Sequence, residues 1–277
     1  MKLNKHLASA AVGLGALFGA ASQAQAAIVT DVIMIVDESG SMGNVQTNLR
    51  NNIGLFASIL AAGGIDARYG LVGYGNGAVR PRMVTDLTDA TSFATAAQGL
   101  VASGGTEPGH AATSFALNSI DGQTDLFSFR SGALKNIIIF TDEQSNGDGC
   151  NGCSTGGDGS TSFSEVDNLL TQQNALFNAV LVNATTAFTY DDLAAAHGGL
   201  TFNLSLMNST DQTVVSQFVQ DFADAKLQEI LDFCALNPTD PACVNNGGQV
   251  PEPGTLALLG LGAFGLRASR RMLSVAS

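Results

Sequence analysis

The stretch Asp31–Ser41, DVIMIVDESGS, decides the fold of this chain. Its first six residues, DVIMIV, are nearly all apolar, which predicts a strand that is covered on both faces, as in the centre of a parallel sheet. The polar group Asp37-Glu38-Ser39-Gly40-Ser41 follows directly and predicts a tight turn at the carboxyl end of that strand. Ligands of open α/β sheets collect at the carboxyl ends of strands, so this turn is also a candidate functional site.

Helical and strand patterns alternate along the rest of the chain. Apolar residues at helical spacing predict helices at 45–62, 90–101, 108–120 and 214–233. Short apolar runs predict strands at 31–36, 67–74, 82–85, 135–140, 175–182 and 201–206. The Gly75-Asn76-Gly77 turn predicts a hairpin, which places one antiparallel strand at the sheet edge. The expected fold is therefore α/β: a doubly wound, mostly parallel six-stranded sheet with helices on both faces.

Composition and charge restrict the functions that are open to this chain. Its 277 residues suffice for one substantial domain, and 45% hydrophobic against 13% charged residues indicate a globular protein rather than a disordered one. Residues 27–250 carry 7 basic and 23 acidic side chains, a formal charge of −16. Such a domain lacks the basic surface that neutralises phosphates, so it is expected to attract cations and basic partners rather than nucleic acid.

The amino-terminal segment 1–26 has the pattern of a secretory signal peptide. It begins with Lys2 and Lys5, continues with a mostly apolar run from Leu7 to Ala21, and ends in the small-x-small sequence Ala24-Gln25-Ala26. The alternative is a transmembrane helix, but the apolar run is shorter than the ~20 residues that span a bilayer. We therefore expect an exported protein that begins at Ala27.

All four cysteines lie in the exported part, where disulfides form and persist. We favour the pairs Cys234–Cys243, which closes the stretch CALNPTDPAC, and Cys150–Cys153. A zinc site of four thiolates is the alternative, although the second pair lacks the usual close spacing. The surrounding stretch 143–163 is rich in Gly, Ser and Asn and predicts a long surface loop.

Oxygen-bearing side chains follow three of the predicted strands or loops. Asp37, Ser39 and Ser41 are spaced at i, i+2 and i+4 and can aim three oxygens at one point, unless the serines simply cap the next helix. The run Ser103-Gly104-Gly105-Thr106 precedes a predicted helix, and Thr141-Asp142 ends the strand KNIIIF. All three groups are expected at the same edge of the sheet.

These motifs, in this order, resemble the von Willebrand factor type A domain family and its metal-ion-dependent adhesion site. The resemblance extends over about 28–233 and implies that Asp37, Ser39, Ser41, Thr106 and Asp142 surround a divalent cation, Mg²⁺ or else Mn²⁺ or Ca²⁺. It also implies that an acidic group of a protein or polysaccharide ligand completes the coordination. One departure is Glu143, which stands where many members of the family have glycine.

The resemblance implies a binding or adhesion module and not an enzyme. His110 is near Thr106 in the sequence, but no Ser-His-Asp or Cys-His pattern surrounds it, so a general base is not evident. Two alternatives remain open at this point: a metal-dependent hydrolase that uses the same cation as a Lewis acid, and a structural matrix protein in which the metal only stabilises the fold. Asp148 and Asp158 could also form a calcium site within the 143–163 loop.

The carboxyl-terminal segment 250–277 combines Pro251-Glu252-Pro253, the apolar run TLALLGLGAFGL at 255–266 and a cluster of arginines. This order resembles the PEP-CTERM sorting signal, which implies transient anchoring in the inner membrane and processing by an exosortase. The arginines would then remain cytoplasmic. The expected organisation is a signal peptide at 1–26, a domain at 27–235, a linker at 236–249 and a sorting tail at 250–277, on the surface or in the extracellular matrix of a Gram-negative-type bacterium.

Overall fold

The computed structural model describes residues 27–76, 80–149, 153–182 and 184–244, with the backbone alone for 184–189. The strands are β1 Ile28–Asp37, β2 Ile65–Tyr74, β3 Arg82–Thr88, β4 Leu134–Thr141, β5 Leu176–Leu181 and β6 Thr201–Asn203. The helices are α1 Gly43–Ala62, α2 Ala90–Ala96, α3 Gly109–Ala116, α4 Phe163–Gln172, α5 Ala184–Ala196, α6 Leu204–Met207 and α7 Gln212–Leu236. Short 3-10 turns occur at Gly40–Met42 and Ala97–Gly99.

The six strands form one sheet in the order β3-β2-β1-β4-β5-β6. Every neighbouring pair is parallel except β2 with β3, which is antiparallel. The predicted α/β sheet with one antiparallel edge strand is thus confirmed. β1 lies in the centre between β2 and β4, and its residues 32–36 are at most 1% exposed, as the apolar run DVIMIV predicts.

Alternate residues of β1 face opposite sides of the sheet, and each side is covered by its own helices. Val32, Met34 and Val36 belong to a core cluster with residues of α1, α2 and α7. Ile33 and Ile35 belong to a second cluster with residues of α3, α4 and α5. Because helices cover both faces, the carboxyl ends of the parallel strands are left uncovered. This end of the sheet, which is distinct from the edge strands β3 and β6, is called the open edge below.

Several predicted elements differ from the structure. The sixth strand ends at Asn203 rather than at 206, because the Asn203 side chain accepts a hydrogen bond from the Ser205 amide at 2.9 Å and starts α6. The helix predicted at 90–101 ends at Ala96 and gives way to a 3-10 turn, and the one predicted at 108–120 spans only Gly109–Ala116. Helices α4 and α5 were not predicted.

At the end of the sheet opposite the open edge, ion pairs and a disulfide hold the chain together. Arg130 pairs with the buried Asp31 at 2.7 Å and with Asp66 at 3.0 Å. The predicted Cys234–Cys243 disulfide is present and holds the chain after α7, where the Ala242 carbonyl accepts a hydrogen bond from Val29.

The other predicted pair involves Cys150, which lies outside the described residues, as do the expected signal peptide and sorting tail. In the described ranges, no helix has the length and apolarity that a membrane span requires.

Candidate metal centre

Asp37 is the last residue of β1, and its side chain is completely buried at the open edge of the sheet. One carboxylate oxygen, Oδ1, accepts a hydrogen bond from the Ser39 amide at 2.6 Å. The other, Oδ2, accepts one from the Thr141 hydroxyl at 2.9 Å, at the end of β4. The two bonds fix the orientation of the carboxylate and join the first predicted motif to the third.

Ser39 and Ser41 lie beside Asp37 with their hydroxyl oxygens 3.1 Å apart. Ser39 is 4% exposed, whereas Ser41 is exposed in the short turn before α1. No side-chain hydrogen bond caps this turn at Ser39 or caps α1 at Met42. The alternative that these serines serve as helix caps therefore does not hold, and the two hydroxyls remain as a close pair of oxygens next to the carboxylate.

Thr106 is brought to this place by a loop that is attached to Glu38. The Glu38 carbonyl accepts hydrogen bonds from the amides of Ser103 at 2.9 Å and Gly104 at 3.0 Å, and Gly104 forms a parallel bridge with Ser39. Only glycine fits at 104, since a β-carbon there would lie 1.4 Å from the Gly75 carbonyl oxygen. The packing leaves Thr106 half-buried next to the first motif.

Thr106 and Asp142 both lie close to Asp37. A β-carbon built on Gly75 would be 3.3 Å from Asp37 Oδ1 and 3.4 Å from the Thr106 carbonyl oxygen, so both atoms approach one point. Asp142 follows Thr141 at the end of β4, is half-buried, and is near enough for its charge to raise the pKa of Asp37. The structure thus brings all five predicted residues to the same edge of the sheet.

Negative charge accumulates at this edge. Burial raises the pKa of Asp37 to about 6, against the opposing effect of its hydrogen bonds from Ser39 and Thr141. Burial also raises the pKa of Glu107 to about 8, together with the neighbouring carboxyl groups of Glu143 and Asp37. Within the described ranges, neither Asp37 nor Glu107 forms an ion pair with a basic side chain.

Glu38 is a residue of this region that the sequence analysis did not single out. Its carboxylate is completely buried and accepts hydrogen bonds from Arg82, from Asn76 at 2.8 Å and from the Val101 amide at 2.9 Å. It thereby joins the start of β3, the turn after β2 and the Thr106 loop. A buried charge within a five-residue polar motif is a signal in the sequence, but its partner Arg82 is 44 residues away and could not be identified there.

The 143–163 loop is held against the start of α3 by its polar side chains. Asp148 Oδ1 accepts a hydrogen bond from the Ala111 amide at 3.1 Å, and Ser145 accepts one from the His110 amide at 2.8 Å. Asp158 instead accepts from the Ser160 amide at 3.0 Å. Asp148 and Asp158 thus serve two separate turns, so the alternative of a calcium site that uses both is not supported.

The donor set at the open edge fits a hard divalent cation. Across the described residues, no three side chains of His, Cys, Asp or Glu form a group that could hold a metal ion, so hydroxyl oxygens are required as well. Asp37 and Asp142 offer carboxylates and Ser39, Ser41 and Thr106 offer hydroxyls, which are the oxygen ligands that Mg²⁺ or Ca²⁺ takes. The zinc alternative is excluded, because the disulfide uses two of the four cysteines.

A family model for the von Willebrand factor type A domain matches residues 31–219, which include the sheet except for the first three residues of β1 and all five residues of this edge. The chain belongs to the von Willebrand factor type A family. A second model, for the PEP-CTERM protein-sorting motif, matches residues 249–271 behind the type A domain and indicates an exported protein. A search of curated proteins finds no match.

Two solved structures similar to this type A domain protein are crystal forms of proximal thread matrix protein 1 from the mussel byssus. The first is 14% identical with a TM-score of 0.48, and the match covers 71% of this chain and 47% of that chain. The second is 15% identical with a TM-score of 0.47 and covers 72% and 46%. This chain therefore spans about half the length of those proteins.

Proposed function

We propose that this protein is an exported binding or adhesion module that holds a divalent cation with Asp37, Ser39, Ser41, Thr106 and Asp142, and binds its partner through that cation. The observation that carries the proposal is the buried Asp37 carboxylate. It is oriented by two hydrogen bonds, stands beside two serine hydroxyls and has no basic side chain paired with it among the described residues. A carboxylate in this setting is stabilised by a bound cation.

The role of each residue follows from its exposure. Asp37 is buried below the site and supplies charge from a fixed position, while Thr141 keeps its carboxylate turned toward the edge. Ser41 is exposed, and Thr106 and Asp142 are half-exposed, so the side of the site that faces solvent carries two hydroxyls and one carboxylate. A bound Mg²⁺ keeps some coordination positions for water or ligand, which an acidic group of a protein or polysaccharide partner would take.

Binding rather than catalysis is favoured by the position of His110. Its ring packs edge-on against Phe163 and Tyr190, its Nδ1 lies 3.5 Å from Asp148 and its Nε2 is buried. A histidine whose Nε2 is buried is poorly placed to exchange protons with a substrate at the open edge. The hydrolase alternative thus lacks its most plausible general base.

The terminal segments support a place outside the cytoplasm. The PEP-CTERM motif is consistent with exosortase-mediated processing after transient anchoring of the tail in the inner membrane. With the secretory pattern at 1–26, this supports delivery of the module to the cell surface or extracellular matrix of a Gram-negative-type bacterium. The strongly acidic domain suits a partner that is reached through a cation rather than through basic side chains.

The test is a pull-down of envelope and matrix components by residues 27–250, with Mg²⁺ or with a chelator. We expect capture of a partner in Mg²⁺, none in chelator, and none by Asp37→Ala under either condition. Asp158→Ala is the matched control, since it removes an aspartate from an exposed turn of the 143–163 loop. Capture that persists in chelator would refute binding through the cation. A metal that stabilises the wild type without any capture would favour the structural matrix protein instead.

A further inference from the structure

Glu107 is a buried acidic residue that directly follows Thr106. Glu107 is only 1% exposed, and its backbone forms hydrogen bonds with Asn146 both as a donor and as an acceptor. The Glu107 amide donates to Asn146 Oδ1 at 3.1 Å, and the Asn146 amide donates to the Glu107 carbonyl at 2.9 Å. The Asn146 side chain also donates to Glu107 Oε2 at 3.3 Å. The position of this carboxyl group is thus fixed by the loop that covers it.

The second oxygen of the same carboxyl group, Oε1, is buried and accepts no hydrogen bond within the part of the chain that is described. No Lys, Arg or His of that part forms an ion pair with Glu107. A buried carboxylate is strongly unfavourable unless a positive charge or hydrogen-bond donors compensate for it. The single amide donor from Asn146 does not compensate for an ionised Glu107, and the neighbouring carboxyl groups of Asp37 and Glu143 oppose its charge. The ionised group therefore requires a positive charge nearby.

The candidate cation site is adjacent. A β-carbon placed on Gly75 would lie 3.2 Å from Glu107 Cγ, 3.3 Å from Asp37 Oδ1 and 3.4 Å from the Thr106 carbonyl oxygen. Gly75 has a φ of 85°, a conformation that side-chain-bearing residues rarely adopt, and this glycine lets the three groups approach one another. The Glu107 side chain therefore lies beside the same glycine as Asp37 and Thr106, two of the five predicted residues.

We propose that Glu107 is a further residue of the cation site. Its carboxylate, beside Thr106 and Asp37, strengthens the binding of a divalent cation. This inference rests on the proposed function. Because no three acidic side chains of the described residues converge on one point, Glu107 acts through its charge and its hold on the Thr106 loop rather than as a third direct carboxylate ligand. It is a positioning and charge-balancing residue that the five-residue motif does not include.

The experiment is a calorimetric titration of the purified chain with Mg²⁺, repeated with Ca²⁺. Glu107→Gln should weaken Mg²⁺ binding by about tenfold, because it removes an acidic group from a buried position beside Asp37 and Thr106. Asp158→Asn is the control: it removes one acidic group from an exposed turn of the 143–163 loop and leaves the carboxyl groups around Glu107 unchanged. Solvent screens that position, so its affinity should change by no more than about twofold.

Thermal unfolding in chelator separates a role in metal binding from a role in folding. Glu107→Gln removes a buried carboxyl group that lies among other carboxyl groups, so without metal it should melt at or above the temperature of the wild type, while its gain in melting temperature on adding Mg²⁺ should be smaller. Glu107→Met, which fills the same space without polar atoms, should weaken Mg²⁺ binding to a similar extent. If both variants melted lower in chelator and yet bound Mg²⁺ like the wild type, Glu107 would be a structural residue only and the inference would be wrong.

The other outcomes are also decisive. Equal losses of affinity in Glu107→Gln and Asp158→Asn would overturn the inference, because a general effect of net charge would then explain both. A wild type that binds Mg²⁺, an Asp37→Ala variant that does not, and a Glu107→Gln variant with wild-type affinity would refute the role of Glu107 and leave the proposed function intact. A wild type that binds neither Mg²⁺ nor Ca²⁺ would overturn both.

Discussion

The two ends of β1 carry buried acidic residues in contrasting surroundings. At the amino end, Asp31 accepts hydrogen bonds from Arg130 Nε and from the Arg130 amide, each at 2.7 Å, and the same guanidinium group reaches Asp66. At the carboxyl end, Asp37 is equally buried but is bonded only to neutral donors among the described residues. The same strand thus has one end where a basic side chain neutralises the carboxylate, and one end where no basic side chain of the described residues does so, which is where we propose the cation.

Glu38 occupies an intermediate place in this comparison. It is next to Asp37 in the sequence, yet its carboxylate is paired with Arg82 and receives two further donors. Its side chain therefore holds the surrounding loops together while that of Asp37 remains available. Neutralisation of one carboxylate and not of its neighbour distinguishes a structural ion pair from a candidate ligand.

The largest effect is expected from Asp37→Ala. Removing the carboxylate that faces both Ser39 and Thr141 should abolish Mg²⁺ binding, seen as complete loss of the rise in melting temperature that the wild type shows when Mg²⁺ replaces chelator. Differential scanning calorimetry measures this shift. A variant that is still stabilised by Mg²⁺ would remove Asp37 from the site.

The opposite end of β1 provides the converse test. Asp31→Ala leaves Arg130, which is only 17% exposed, without its main partner and should lower the free energy of unfolding by about 3 kcal/mol, measured by urea denaturation. The affinity for Mg²⁺ should remain unchanged. Weaker Mg²⁺ binding in this variant would mean that the two ends are coupled through the strand, contrary to the comparison.

An effect of similar size is expected from pH in the presence of chelator. The pKa of Asp37 is about 6 in the metal-free fold and 3.8 ordinarily, so this group favours folding when it is protonated. Its contribution is complete below pH ~4 and is lost as the pH rises through about 6, which should cost about 3 kcal/mol in full. Saturating Mg²⁺ favours the ionised carboxylate and should flatten or reverse this slope. Identical slopes with and without Mg²⁺ would contradict the assignment.

The smallest effect is expected from Glu38→Gln. The amide retains the shape of the side chain but weakens the bonds to Arg82 and to the Val101 amide, so the Thr106 loop is held less firmly. We expect Mg²⁺ affinity to fall about threefold, with a loss of stability of about 1 kcal/mol. The measurement is a calorimetric titration with Mg²⁺, and Asp31→Ala, whose affinity should remain unchanged, is the control. An affinity loss as large as that of Asp37→Ala would instead make Glu38 a ligand.

Much of the fold could be predicted because its signals are local. The apolar run before Asp37 identifies a central strand, and the Gly75 turn identifies the hairpin to β3. Helix α4 was missed, although Ser162 and Glu165 form a capping box that is visible in the sequence, since the Gly-rich stretch before it masks the helical period. The end of β6 was wrong because one side-chain bond, from Asn203, redirects the chain.

The candidate site divides in the same way. The sequence by itself determined which residue types stand at the ends of β1 and β4 and in the Thr106 loop, because parallel strands bring their carboxyl ends to one edge. Only the tertiary structure decided which carboxylates there are neutralised. Arg82 pairs with Glu38, whereas no basic side chain of the described residues pairs with Glu107, which is bonded to Asn146. Burial and ion pairing depend on residues distant in the chain. They leave Asp37 buried and without a basic partner among the described residues, and this property points to a cation.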